Sequence, residues 1–167
     1  MGLGKLFGKK EPEAGADTTP EPGPESEPEQ PKLKVVIIDD DPDARDFMRM
    51  GLEVGGYDVV GEGSDGASAI QAVTEGKPDL VLVDLHMPDI GGLELLPQLR
   101  EAHWPTKFVV VSAIGATRMI EAAIEAGAVG FIEKGVSPRS INIHLEKIAT
   151  AGAVKVVRPY PLNHEYP

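Results

Sequence analysis

The stretch Leu80-Val81-Leu82-Val83-Asp84-Leu85-His86-Met87-Pro88-Asp89-Ile90-Gly91-Gly92 decides the fold of this chain. A short, β-branched apolar run stops abruptly on a carboxylate, and a Pro- and Gly-bearing turn follows. A strand with no polar alternation has to be covered on both faces, which is the mark of a parallel sheet between helices. Working outward, comparable runs occur at Leu33–Ile38, Lys107–Val111 and Val129–Ile132, with a weaker one at Tyr57–Gly61; the run quoted first begins at Asp79. Helical segments lie between them. Pro42–Val54 has Asp41 as N-cap and is stopped by Gly55-Gly56. Gly66–Thr74 ends before Gly76 and Pro78, and Gly92–Arg100 carries Pro97 awkwardly in its interior. Thr117–Ala126 precedes Gly127, and Pro138–Thr150 is capped by Ser137. This is an α/β chain of the (βα)5 type: one doubly wound, parallel five-stranded sheet, flavodoxin-like, with strand order 2-1-3-4-5.

That domain occupies residues 32–152 of 167. Residues 1–31 read as an arm. From Glu11 to Pro31 it is rich in Pro and Glu, with little apolar surface to offset its ordering entropy, so a tether is expected. Residues 1–10 place Leu3, Leu6 and Phe7 beside Lys5, Lys9 and Lys10, a short basic amphipathic start suited to weak contact with an anionic membrane or a partner. Residues 153–167 read as a tail. The chain has no cysteine, which removes disulfides and thiol chemistry, and its formal net charge of −11 opposes nucleic acid binding. No apolar run approaches the roughly 20 residues of a membrane span. A cytoplasmic protein is expected.

In an open parallel sheet, ligands bind beyond the carboxyl ends of the strands. The residues there are Asp39, Asp40 and Asp41 after the first strand, Asp84 after the third, Ser112 after the fourth and Lys134 after the fifth. In the order 2-1-3-4-5 these ends are neighbours. Carboxylates so close together call for a cation, and an all-oxygen donor set points to Mg²⁺. Lys134 and Ser112 can then hold an anion, one by charge and one by hydrogen bonding. This combination suits phosphoryl transfer to an aspartate.

Four runs together resemble the response-regulator receiver family. They are Val35–Pro42, Leu80–Gly92, Val109–Ala113 and Gly127–Lys134. The resemblance covers about residues 33–150, and its motifs fall in order. It implies that Asp84 accepts a phosphoryl group from a sensor histidine kinase or a histidine phosphotransfer protein. It makes Asp40 a direct Mg²⁺ ligand and Asp39 an outer one, with Asp84 and the backbone carbonyl of His86 completing the set. Ser112 and Lys134 would contact the phosphoryl oxygens, and Phe131 with Ser112 would form the switch, the aromatic ring moving inward when Ser112 is drawn to the phosphate. Output would pass through the fourth helix, fifth strand and fifth helix to an unknown protein target by protein–protein contact. The chain would then be a signalling module that catalyses only its own phosphorylation and dephosphorylation. Gly135 stands where the family usually has proline, which leaves the Lys134–Gly135 peptide free to be trans. Two alternatives stay open: a phosphorelay intermediate, and a pseudo-receiver that acts without phosphorylation. A dehalogenase-type phosphatase, suggested superficially by Asp39-x-Asp41, would leave Asp84 and its loop unexplained. His86, together with Ile114, is also expected to tune the lifetime of the phosphate.

Overall fold

The computed structural model describes Met1 and residues 32–113, 116–151 and 155–157. The basic start and the acidic arm, Ile114, and residues 158–167 lie outside the described residues. The elements are β1 (Lys34–Ile38), α1 (Pro42–Val54), β2 (Asp58–Gly63), α2 (Gly66–Gly76), β3 (Leu80–Val83), α3 (Gly92–Ala102), β4 (Lys107–Ser112), α4 (Thr117–Glu125), β5 (Gly130–Glu133), α5 (Pro138–Ala151) and β6 (Lys155–Val157). All strands pair in parallel in the order β2-β1-β3-β4-β5-β6.

The order 2-1-3-4-5 expected of the first five strands is the order found. The tail is corrected in one respect. Lys155–Val157 forms a sixth strand beside β5, pairing Gly130 with Lys155 and Ile132 with Val157. An edge strand presents unpaired backbone groups, and the short run after α5 satisfies those of β5. Three residues are too few to carry a readable period, which is why the run read as tail.

The continuous apolar runs conceal an alternation that the two helical layers separate. Val36, Ile38, Val81, Val83, Val110 and Phe131 pack with Ala69 and Val73 of α2, with Leu95, Leu96 and Leu99 of α3, and with Ile120 and Ala123 of α4. Val35, Ile37, Leu80, Leu82, Val109, Val111 and Ile132 face the other way, onto Met48 and Leu52 of α1 and Ile141, Leu145 and Ile148 of α5. The pleat sends successive side chains to opposite faces, so each strand serves both cores.

The helix starts follow the sequence closely. Asp41 caps α1 by accepting from Asp43 N–H at 2.9 Å, with Pro42 as its first residue. Asp65 and Ser68 form a reciprocal capping box at α2. Ser137 accepts from Ser140 N–H at the start of α5. The ends depart more. Helix α2 runs through Gly76, and Lys77 takes the left-handed turn at φ 45°. Helix α3 continues past Pro97 to Ala102.

Leu99 is fully buried between α3 and the sheet. Leu99→Ala is expected to lower the unfolding free energy by about 2–5 kcal/mol through lost transfer and an incompletely collapsed cavity. Urea denaturation of the two chains measures this.

Candidate functional site

Among the described residues, four polar side chains are buried: Asp39, Asp84, Thr106 and Ser112. Thr106 is explained locally, since its hydroxyl donates to the Pro78 carbonyl at 2.7 Å. The other three stand together at the carboxyl edge of the sheet. The ladder itself sets their heights. Asp39 N–H donates to Gly63 C=O at 3.0 Å, Asp84 N–H to Ile38 C=O at 2.8 Å, and Lys134 N–H to Ser112 C=O at 2.8 Å. Each strand-end residue is thus fixed by the neighbouring strand, and the side chains that follow converge.

Lys134 is the centre of that convergence. Its Nζ lies 2.7 Å from Asp39 Oδ2 and 2.9 Å from Asp84 Oδ2. Burial works to lower the pKa of this ammonium, but its bonds to Asp39 and Asp84 outweigh it and hold the pKa above the ordinary lysine value. Burial dominates at Asp39 and raises its carboxyl above the usual range, against the opposing pull of Lys134 and of Asp41 N–H. Asp41 N–H reaches Asp39 Oδ1 at 3.1 Å. Asp39 Oδ2 is buried, and the Lys134 ammonium at 2.7 Å is its neighbour.

Asp39, Asp40 and Asp84 can bring one carboxylate oxygen each within 4.8 Å of one another. Asp40 is exposed, so a cation can be reached from solvent with part of its water shell intact. An all-oxygen set and three carboxylates facing one ammonium fit a hard divalent cation.

Ser112 Oγ and His86 Nδ1 lie 3.3 Å apart and share a hydrogen bond. The same His86 nitrogen is 4.0 Å from Asp84 Oδ1. Serine and aspartate therefore meet one ring nitrogen instead of two, so no Ser-His-Asp relay is formed. Phe131, on β5 opposite Val110, is fully buried. The Lys134–Gly135 peptide is trans, as only Trp104–Pro105 is cis among the described residues, and Gly135 sits at φ 100°. Proline, fixed near −65°, could not adopt that turn.

Three residues of the site escaped the sequence reading. Arg45 Nη1 donates to Asp39 C=O at 2.7 Å and its Nε to Glu62 at 3.2 Å, which ties α1 and β2 to the end of β1. Asp89 accepts from Gly66 N–H at 2.7 Å and anchors the loop after β3 to α2. A Cβ on Gly92 would collide with the Asp84 carbonyl oxygen. The Asp-Ile-Gly-Gly run following Pro88 carried the signal for the last two, but the contacts exist only once the loop folds back.

The family model described as "Response regulator receiver domain" matches residues 35–146. The chain belongs to that family. As a receiver domain it has the phosphoacceptor signalling architecture of two-component response regulators. Chemotaxis protein CheY of Thermotoga maritima is 35% identical over 70% of this chain and 97% of its own length. A protein-glutamate methylesterase/protein-glutamine glutaminase of Hahella chejuensis is 33% identical over 80% of this chain but 45% of its own length, and a putative transcriptional regulator of Pseudomonas aeruginosa is matched over 49% of its length. The chain thus spans about half the length of these two relatives. Among solved structures, the receiver domain of the putative response regulator NarL from Mycobacterium tuberculosis is 31% identical, with a TM-score of 0.66 over 71% of this chain and 96% of that one. A CheY-like receiver from Methanospirillum hungatei shares the fold at a TM-score of 0.67 and 24% identity, covering 72% of this chain and 96% of its own. No described helix is long and apolar enough to cross a membrane.

A buried carboxyl with a raised pKa binds protons more readily folded than unfolded, so its ionised form opposes folding in the metal-free receiver. Asp39→Asn is therefore expected to raise the melting temperature measured in EDTA. Millimolar divalent cation is expected to raise the melting temperature of the parent chain, and Asp39→Asn to lose that rise. Thermal melts of both proteins, with and without metal, check this.

Proposed function

We propose that this receiver accepts a phosphoryl group on Asp84 with Mg²⁺ as cofactor, and that the modified chain signals by protein–protein contact. The observation that carries the reading is the placement of Lys134 Nζ 2.9 Å from the Asp84 carboxylate, beside Asp39 and Ser112. In the step itself, an Asp84 carboxylate oxygen attacks phosphorus. The bond from phosphorus to the donor breaks, and the donor leaves with the electron pair. A phosphohistidine imidazole or an acyl phosphate serves as donor, and the product is a mixed anhydride on Asp84. Lys134 exchanges part of its pairing with Asp84 for the incoming phosphoryl oxygens, so charge is matched throughout. Ser112 donates its hydroxyl to one of those oxygens. Asp39, Asp40, Asp84 and the backbone carbonyl of His86 would hold Mg²⁺, which supplies charge neutralisation at the transferring group.

A sensor histidine kinase or a histidine phosphotransfer protein is the donor we assign, acting in the cytoplasm. Next to Lys134, a groove of about 300 Å³ is lined by Ala44, Phe47, Met48, Val136 and Ile141. Phe47 of α1, which lines it, leaves substantial apolar surface in solvent. Such a rim suits a helical donor that must bring its phosphohistidine to Asp84. For output we assign the face of α4, β5 and α5, with Ser112 and Phe131 as the switch pair. Phe131 is already inside, so movement of Ser112 is taken up by repacking of the core rather than by a ring entering from solvent.

Intact mass after incubation with acetyl phosphate and Mg²⁺ should rise by one phosphoryl group, and the rise should be absent in Asp84→Asn and in EDTA. An unmodified mass in the parent chain would favour a receiver that acts without phosphorylation. Phe47→Asp should leave labelling by acetyl phosphate intact while slowing transfer from a phosphorylated kinase at least tenfold. Equal slowing with both donors would place Phe47 in the fold and not in docking.

A further inference from the structure

His86 stands half exposed at the rim, with 50% of its side chain in solvent, yet its Nδ1 reaches the fully buried Ser112 hydroxyl at 3.3 Å. The backbone holds it in that pose. His86 N–H faces Asp84 Oδ1 at 3.3 Å, Gly92 N–H donates to Leu85 C=O at 3.1 Å, and Asp89 pins the loop to Gly66. The imidazole is thereby placed over the hydroxyl that the proposed chemistry needs. It stops short of Asp84 itself, at 4.0 Å.

We propose that His86 is a positioning residue: before phosphorylation it holds the Ser112 hydroxyl through Nδ1, and that bond is given up when Ser112 turns to a phosphoryl oxygen on Asp84. The inference rests on Asp84 being the acceptor. A serine has one hydroxyl hydrogen and cannot donate it to both partners. If Nδ1 is the donor instead, rotation of Oγ still breaks its contact with the ring, which at 3.3 Å is already near the outer limit of hydrogen bonding. A charged phosphoryl oxygen is the stronger acceptor, so the exchange runs towards it. The released imidazole is free to move into solvent. The loop carrying it is bonded to the start of α2 through Asp89, so phosphorylation would also be felt at that edge of the domain. His86→Ala keeps the backbone carbonyl, which separates this role from any part in holding metal.

The test is ¹⁵N NMR of the imidazole in histidine-labelled full-length protein, with His103, His144 and His164 as internal references. In the unphosphorylated protein, Ser112→Ala should shift the His86 ring nitrogens and leave the others unmoved. Phosphorylation of the parent chain with acetyl phosphate and Mg²⁺ should move the same nitrogens in the same direction, and should move them little further in Ser112→Ala. His86→Ala should accelerate labelling by acetyl phosphate roughly three- to tenfold, the equivalent of one ordinary hydrogen bond. His86→Gln, whose amide can hold the hydroxyl, should return the rate towards that of the parent. A His86 signal indifferent to Ser112→Ala would overturn the inference, as would His86→Ala labelling no faster while the mass gain on Asp84 persists. Loss of labelling in every chain, with the Ser112-dependent shift intact, would instead overturn Asp84 as acceptor and with it the exchange.

Discussion

Two carboxylates are buried side by side at the end of an apolar sheet, and one ammonium answers both. Everything else at this edge depends on that imbalance. Desolvating a carboxylate costs several kcal/mol even after relaxation, and a single lysine shared between two acids returns only part of it. Asp39 records the shortfall, since burial still raises its pKa with Lys134 2.7 Å away. The site therefore carries more negative than positive charge. The same lysine that makes the metal-free fold tolerable is the one to which the proposed function assigns the incoming phosphoryl oxygens.

The rigidity of the parallel sheet turns this imbalance into geometry. Asp39, Asp84 and Lys134 are all anchored by backbone bonds to a neighbouring strand, so their side chains have little freedom to drift apart. Arg45 reinforces the first of them from α1, and Glu62 is shared between Arg45 and Arg49 at 3.2 Å and 2.6 Å. These contacts tie α1, β1 and β2 to one another around the acidic end. The two apolar layers fill in behind and exclude water from the strands. Repulsion at the site is therefore borne by the whole sheet and is not relieved by local movement.

The loop after β3 has a second task. It carries His86 over Ser112 and passes Gly92 so close to the Asp84 carbonyl that no side chain fits there. It is then fastened to α2 by Asp89. A loop restrained at three points can transmit a small displacement at Asp84, where a slack one would absorb it.

Much of this was written into the sequence. Apolar runs without alternation require a sheet covered on both sides, and the acids, hydroxyl and lysine that end those runs could only gather at its carboxyl edge. Asp41, Ser137 and the glycines after α1 marked helix boundaries by local chemistry alone. The rest needed the folded chain, because it depends on contacts between segments distant in sequence. Lys155–Val157 becomes a strand only because β5 offers it an open edge. Arg45 matters only because the first turns of α1 pass over the Asp39 carbonyl. The need for glycine at position 92 arises from a backbone approach within the loop, and the His86–Ser112 bond from the meeting of β3 and β4. Periodicity and end-residue chemistry are local properties and could be read directly; shared partners and close approaches are properties of the packed sheet, and the tertiary structure alone decided them.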